Sequence, residues 1–191
     1  MRSDPGSLPP VEPPRRATTK ATSLVLVNTG DGKGKSTAAF GTAMRAAAAG
    51  WRVCVVQFVK SGRWQTGEQK ASVTLGIDWW TTGDGFTWNS SDMDETEAVA
   101  REGWRSASGL LASGDHRLVV LDEITYPINW GWISIAEVVD AVSSRPAHVS
   151  VIVTGRDAPP ELIALADTVT EMRNEKHAFD RGVRAMRGID F

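Results

Sequence analysis

Thr29-Gly-Asp-Gly-Lys-Gly-Lys-Ser-Thr37 sits between an apolar run, Leu24 to Val27, and an Ala-rich stretch that continues to Ala49. Apolar run, glycine turn and Ala-rich segment predict a strand, a tight loop and a helix. The loop ends in Gly34-Lys35-Ser36, the signature of a phosphate-binding loop. Its glycines let successive backbone N–H groups converge on phosphate oxygens. The helix adds the positive end of its dipole, Lys35 adds a charge, and the Ser36 hydroxyl can reach a divalent cation. Thr29 to Thr37 are therefore the candidate nucleotide contacts: Thr29, Gly30, Asp31, Gly32, Lys33, Gly34, Lys35, Ser36 and Thr37. The usual first glycine, five residues before Gly34, is Thr29 here. The loop is a variant, so hydrolysis of a terminal phosphate does not follow from it.

Outward from this loop, strands and helices alternate. Leu24–Asn28 reads as the first strand and Ser36–Ala49 as its helix, stopped by Gly50. Arg52–Phe58, Ile77–Thr81, Arg117–Leu121, Val149–Thr154 and Thr168–Met172 read as further strands. Between them, Thr66 with Gln69 opens a helix to Leu75, and Asp92 with Glu95 a long one to Gly114. Ser134 with Glu137 caps a third, and Pro160–Ala166 is a short fourth. Near-continuous Val, Ile and Leu runs mark strands covered on both faces. The expected fold is α/β, a mainly parallel sheet with helices on both faces and ligands at the strands' carboxyl ends, of the P-loop NTPase (RecA-like) kind.

Residues 1–21, with Pro5, Pro9, Pro10, Pro13 and Pro14, read as a flexible tail, and 22–191 as one domain. The 21 basic and 23 acidic residues give a net charge of −2, which speaks against a non-specific nucleic-acid binder. No stretch approaches the roughly eighteen apolar residues of a membrane span. The lone cysteine, Cys54, fits a reducing cytoplasm.

Asp122 and Glu123 end a Leu-Val-Val-Leu run at the same sheet edge as the glycine loop, where a carboxylate can hold Mg²⁺ directly or through water. Arg156, in Thr154-Gly-Arg156, puts a guanidinium where phosphate oxygens would lie, and Gln57 and Lys60 share that edge. Phe86 and Trp88 project from a glycine-rich loop after the third strand; stacking on a flat ligand and anchoring the loop are equally compatible with them. Tyr126, Trp130 and Trp132 read as packing of a long loop. The basic residues between Arg173 and Phe191 read as a solvated face or an anion-binding rim, and His177 has no catalytic partner in sequence.

These stretches together resemble the P-loop type of ATP:corrinoid adenosyltransferase. The likeness rests on Thr29–Thr37 with Ala38-Ala-Phe-Gly41, Val56-Gln-Phe-Val-Lys60, Gly85-Phe-Thr-Trp88, Val119-Val-Leu-Asp-Glu123 with Thr125-Tyr126, Thr154-Gly-Arg156, Leu165-Ala-Asp-Thr168, Lys176-His-Ala-Phe-Asp180 and Gly188-Ile-Asp-Phe191. It implies attack of a Co(I) corrinoid on the ribose 5′ carbon of ATP, with triphosphate leaving. It implies Lys35 and Glu123 as catalytic, Ser36 and Glu123 as contacts of Mg²⁺ or Mn²⁺ with Asp122 behind them, and Phe86 and Trp88 as the aromatics that displace the corrinoid's lower axial ligand. It further implies a homodimer and an electron donor, a flavodoxin-like protein or reduced flavin. A P-loop ATPase or kinase acting on a small molecule is the competing reading; it would release ADP.

Overall fold

The computed structural model describes residues 18–60, 66–82 and 93–190, with side chains in the last stretch from residue 96 onward. Six strands form one sheet: β1 (Val25–Thr29), β2 (Val53–Phe58), β3 (Asp78–Thr82), β4 (Leu118–Asp122), β5 (Ser150–Thr154) and β6 (Thr168–Glu171). Their order across the sheet is β3-β2-β4-β5-β1-β6, and every adjacent pair is parallel. All six carboxyl ends therefore meet along one edge, as the sequence pattern predicts. The helices are α1 (Lys35–Ala48), α2 (Gly67–Leu75), α3 (Met93–Ser113), α4 (Thr125–Asn129), α5 (Ile135–Ser143) and α6 (Pro160–Leu165).

Strand alternation divides the core in two. Cys54, Val56 and Phe58 of β2, Val119 and Leu121 of β4, and Val151 and Val153 of β5 pack with Trp104, Ala107 and Leu111 of α3 and Val138 and Val142 of α5. Val53, Val55, Leu118, Val120 and Ile152 turn the other way, against Ala39, Phe40, Ala43 and Ala46 of α1. Small alanines let α1 lie close to the strands, so the helix that starts at the glycine loop is fixed to the sheet along its length.

Three expectations change. The edge strands are not covered on both faces: β6 is exposed throughout and β3 is half-exposed, because the helices pack mainly over the inner strands. Residues 125–129 are a short helix rather than loop, held by Ile128 N–H to the Ile124 carbonyl and Trp130 N–H to the Tyr126 carbonyl. Ser134 stands at the start of α5 without a side-chain capping bond, whereas the Thr66 hydroxyl accepts the Gln69 N–H at 3.3 Å as expected. The expected start of the long helix at Asp92 lies outside the described residues, as does the tail before residue 18.

Candidate active site

The glycine loop leaves β1 and enters α1 through Gly34, whose φ of 116° is open to glycine at little cost. No acid occupies the first turn of α1, so its N–H groups and dipole face the loop uncompensated. The loop is pressed against the end of β6. Gly32 N–H donates to the Met172 carbonyl at 2.6 Å, and Met172 N–H to the Thr29 carbonyl at 2.8 Å. A Cβ at Gly32 would stand 2.6 Å from the Arg173 carbonyl oxygen, so the approach itself demands glycine there. Thr29 ends β1, and its hydroxyl accepts the Ala158 N–H at 3.1 Å. Where other loops of this kind carry their first glycine, this one carries a tether to the segment after β5.

Above the loop lies a cavity of about 430 Å³ lined by Asp31 to Thr37, Lys60, Glu123, Tyr126 and Arg156, with Asn174, His177, Phe179, Asp180 and Asp190 from the C-terminal segment. The volume suits a nucleotide-sized ligand. Lys35 Nζ donates to the carbonyls of Gly30 and Gly32, both at 2.7 Å. Burial lowers its pKa, as does Arg156 nearby, against the opposing pull of Asp31 and Glu123. The other cations face acids: Lys33 pairs with Asp190 at 2.6 Å, Arg156 with Asp31 at 3.6 Å and Lys60 with Glu123 at 4.0 Å. Four cations line the cavity beside the acids Asp31, Glu68, Glu123, Asp180 and Asp190, and Lys35 is the cation held by backbone carbonyls that a phosphate could replace.

Asp122 and Glu123 have different surroundings. Asp122 is fully buried, and both its oxygens are engaged: Gln57 Nε2 donates to Oδ2 at 2.8 Å and the Thr154 hydroxyl to Oδ1 at 2.7 Å. Thr154 in turn accepts the Glu123 N–H at 2.9 Å, so β2, β4 and β5 are cross-linked under the cavity. Glu123 reaches the cavity wall. Burial, then the neighbouring Asp122 charge, pushes its carboxyl up to about 7, against the pull of Lys60, Lys35 and Arg156. A carboxylate so poorly solvated favours a cation beside it.

Among the described residues, three non-glycines have left-handed backbones: Val59 (φ 69°), Glu123 (φ 62°) and Asp157 (φ 50°). They follow β2, β4 and β5 at the cavity edge, next to or at Lys60, Glu123 and Arg156. Such conformations cost about 1–3 kcal/mol each and persist where the surroundings over-determine them. Strain is concentrated where the charged side chains are aimed.

Of the residues expected from sequence, Asp31 to Thr37, Lys60, Glu123 and Arg156 converge on the cavity. Thr29, Gly30, Gln57 and Asp122 lie behind its wall, in the contacts just given. Phe86 and Trp88 fall outside the described residues. Tyr126, read as loop packing, lines the cavity and stacks on Trp130 at 5.7 Å and 26°; Trp130 meets Trp132 at 4.6 Å. Asn174 is a wall residue that sequence reasoning did not single out; His177, read there as part of a solvated face or anion-binding rim, and Phe179, Asp180 and Asp190, quoted there only within the C-terminal motifs, join it in the wall. His177 Nδ1 accepts the Phe179 N–H at 3.1 Å, a turn-forming contact. Among the described residues no group of three or more His, Cys, Asp or Glu side chains is arranged to hold a metal ion. A cation here would complete its shell from Ser36, Glu123, water and the ligand's own phosphates, a donor set suited to Mg²⁺.

Comparison with known proteins identifies the family. The family described as ATP:corrinoid adenosyltransferase BtuR/CobO/CobP matches residues 21–191. The corrinoid adenosyltransferase of Escherichia coli (strain K12) is 44% identical over 168 residues, covering 88% of this chain and 85% of that one. Corrinoid adenosyltransferase CobA of Salmonella typhimurium is 43% identical over 168 residues, with the same shares of both chains. The Pseudomonas aeruginosa protein of the same description is 42% identical over 170 residues, covering 88% and 83%. The match takes in the glycine loop, the acidic strand end and the C-terminal wall of the cavity together, and the chain belongs to the ATP:corrinoid adenosyltransferases, enzymes of cobalamin biosynthesis and salvage.

Proposed function

We propose that this chain binds ATP with its triphosphate in the glycine loop and holds it there as a leaving group. A Co(I) corrinoid attacks the ribose 5′ carbon. The cobalt electron pair forms the Co–C bond, the C5′–O bond breaks, and its pair leaves with the triphosphate. The nucleophile is supplied by the corrinoid, so no protein base is required. What the protein must supply is stabilisation of a departing polyanion, and the observation that carries the reading is the convergence of Lys33, Lys35, Lys60 and Arg156 on one cavity at the N-terminus of α1.

In this reading Lys35 exchanges its two loop carbonyls for phosphate oxygens, and Arg156 and Lys60 move from Asp31 and Glu123 to the same anion. Ser36 and Glu123 would hold Mg²⁺ or Mn²⁺, which would neutralise phosphate charge. Asp122, its oxygens already engaged by Gln57 and Thr154, keeps Glu123 aimed. Phe86 and Trp88 approach the corrinoid and displace its lower axial ligand, which makes Co(II) easier to reduce by a flavodoxin-like protein or a reduced flavin. The strand order, with β5 between the loop strand β1 and the acidic strand β4, supports a RecA-like P-loop architecture. A homodimer fits the exposed β6 edge, and a cytoplasmic setting fits both Co(I) chemistry and the free thiol of Cys54, buried in the core.

Anaerobic incubation with ATP and a pre-reduced Co(I) corrinoid tests the reaction. The expected result is an alkylated corrin spectrum with stoichiometric triphosphate. ADP and orthophosphate, with the corrin unalkylated, would replace this reading with that of an ATPase or kinase.

A further inference from the structure

The C-terminal segment, residues 173–190, has little fold of its own and buries little: Phe179, Val183, Met186 and Ile189 are all exposed. Yet it forms one wall of the cavity, through Asn174, His177, Phe179, Asp180 and Asp190. Something other than a hydrophobic core must keep it there. At its start the segment is tied by Gly32 N–H to the Met172 carbonyl. At its far end stands Asp190. One carboxylate oxygen meets Lys33 Nζ at 2.6 Å, and the other accepts the Met186 N–H at 2.7 Å. The carboxylate thus closes a turn within the segment and fixes that turn to the glycine loop. The bond to Lys33, then that to Met186, holds the Asp190 carboxyl below the usual range.

From this geometry we propose that Asp190 is a positioning residue that fastens the C-terminal segment to Lys33 and so keeps the nucleotide cavity walled. Lys33 accordingly anchors the wall besides lending its charge to the cavity. The proposal rests on ATP occupying this cavity. It predicts a sign that simple charge does not. Asp190 and Asp180 both line a cavity for a polyanion, so removing one carboxylate should favour ATP if Asp190 acted only as a charge. If Asp190 is a fastener, removing it weakens ATP binding.

The test compares the full chain with Asp190→Asn, Asp190→Glu and a variant ending at Gly188. Three readouts are taken: ATP affinity by equilibrium dialysis with Mg²⁺, KM and kcat with pre-reduced Co(I) corrinoid, and the rate of tryptic cleavage at Arg184 and Arg187. Asp190→Asn should raise the Kd and KM for ATP by about fivefold, the upper end for a partly exposed ion pair. The kcat should change less than twofold by the same scale, and cleavage should quicken. The truncation should exceed Asp190→Asn in the loss of affinity and in cleavage at Arg184, and Asp190→Glu should recover most of the affinity. Unchanged or tighter ATP binding in Asp190→Asn, or a fall in kcat at constant KM, would overturn the proposal. Dialysis and proteolysis do not depend on adenosyl transfer. Should the protein bind ATP and leave the corrin unalkylated, the reaction assignment fails while these two readouts still decide the fastener.

Discussion

Lys35 and Glu123 line one cavity with opposite needs. Lys35 is held by two carbonyls that any phosphate would displace, so Lys35→Ala should leave the loop folded and remove the charge that stabilises the departing triphosphate. Losing one such preorganised contact costs about 2.7–4 kcal/mol, a fall of about 10²–10³-fold in kcat, to be read from triphosphate release with Co(I) corrinoid. For Glu123 the effect is one of linkage. Its folded carboxyl titrates at about 7, against 4.5 for the ordinary group, so the folded chain keeps a proton there that the unfolded chain has lost. Between those values the folded state binds more protons, and stability falls as pH rises through that window. The loss is at most about 3 kcal/mol at pH 8 without divalent metal. Urea unfolding in chelator at pH 5 and pH 8 should therefore show a steeper decline for the wild type than for Glu123→Gln.

At the level of elements, the carboxyl ends of β2, β4 and β5 act as one strained ledge. Gly155 links β5 to Arg156 at φ 141°, and a Cβ there would lie 1.9 Å from the Thr125 hydroxyl oxygen on α4. Gly155→Ala should push α4 and the Arg156 turn apart, destabilising the protein by about 2–4 kcal/mol and raising the KM for ATP. Thermal melts and ATP titration would show both. The loop, the acidic strand end and Thr154-Gly-Arg156 were legible in sequence because each follows an unbroken apolar run, and a parallel sheet brings such ends together. Helix α4 was not: Tyr126-Pro-Ile-Asn129 is too short for a period to emerge, and its Pro and Asn read as loop. The strand β6 was legible as a strand, but its exposure depends on its place at the edge, which local sequence does not encode.

Across the whole molecule, the cavity is assembled from segments as far apart as Asp31 and Asp190, and the C-terminal wall is the part least legible in the sequence. Its basic residues have no regular spacing, so only the chain's return to the glycine loop turns that stretch into a wall. Ligand binding should consequently stabilise the fold as a unit. At a hundred times its Kd, ATP with Mg²⁺ should add about 2.7 kcal/mol, a rise in Tm of roughly 5–10 °C for a chain of this size. Differential scanning fluorimetry with ATP, and with triphosphate alone, would measure it. A comparable shift from triphosphate would place most of the grip on the phosphates.

The aromatic ladder from Tyr126 to Trp132 starts on the cavity wall, passes through a partly solvated indole, Trp130 being 40% exposed, and ends on the buried Trp132. Emission from those rings lies close to whatever enters the cavity, and a corrin absorbs strongly in the visible. The enzyme thus carries its own optical gauge: quenching on corrinoid arrival and a spectral change on nucleotide arrival should let the order of substrate entry be timed without any label.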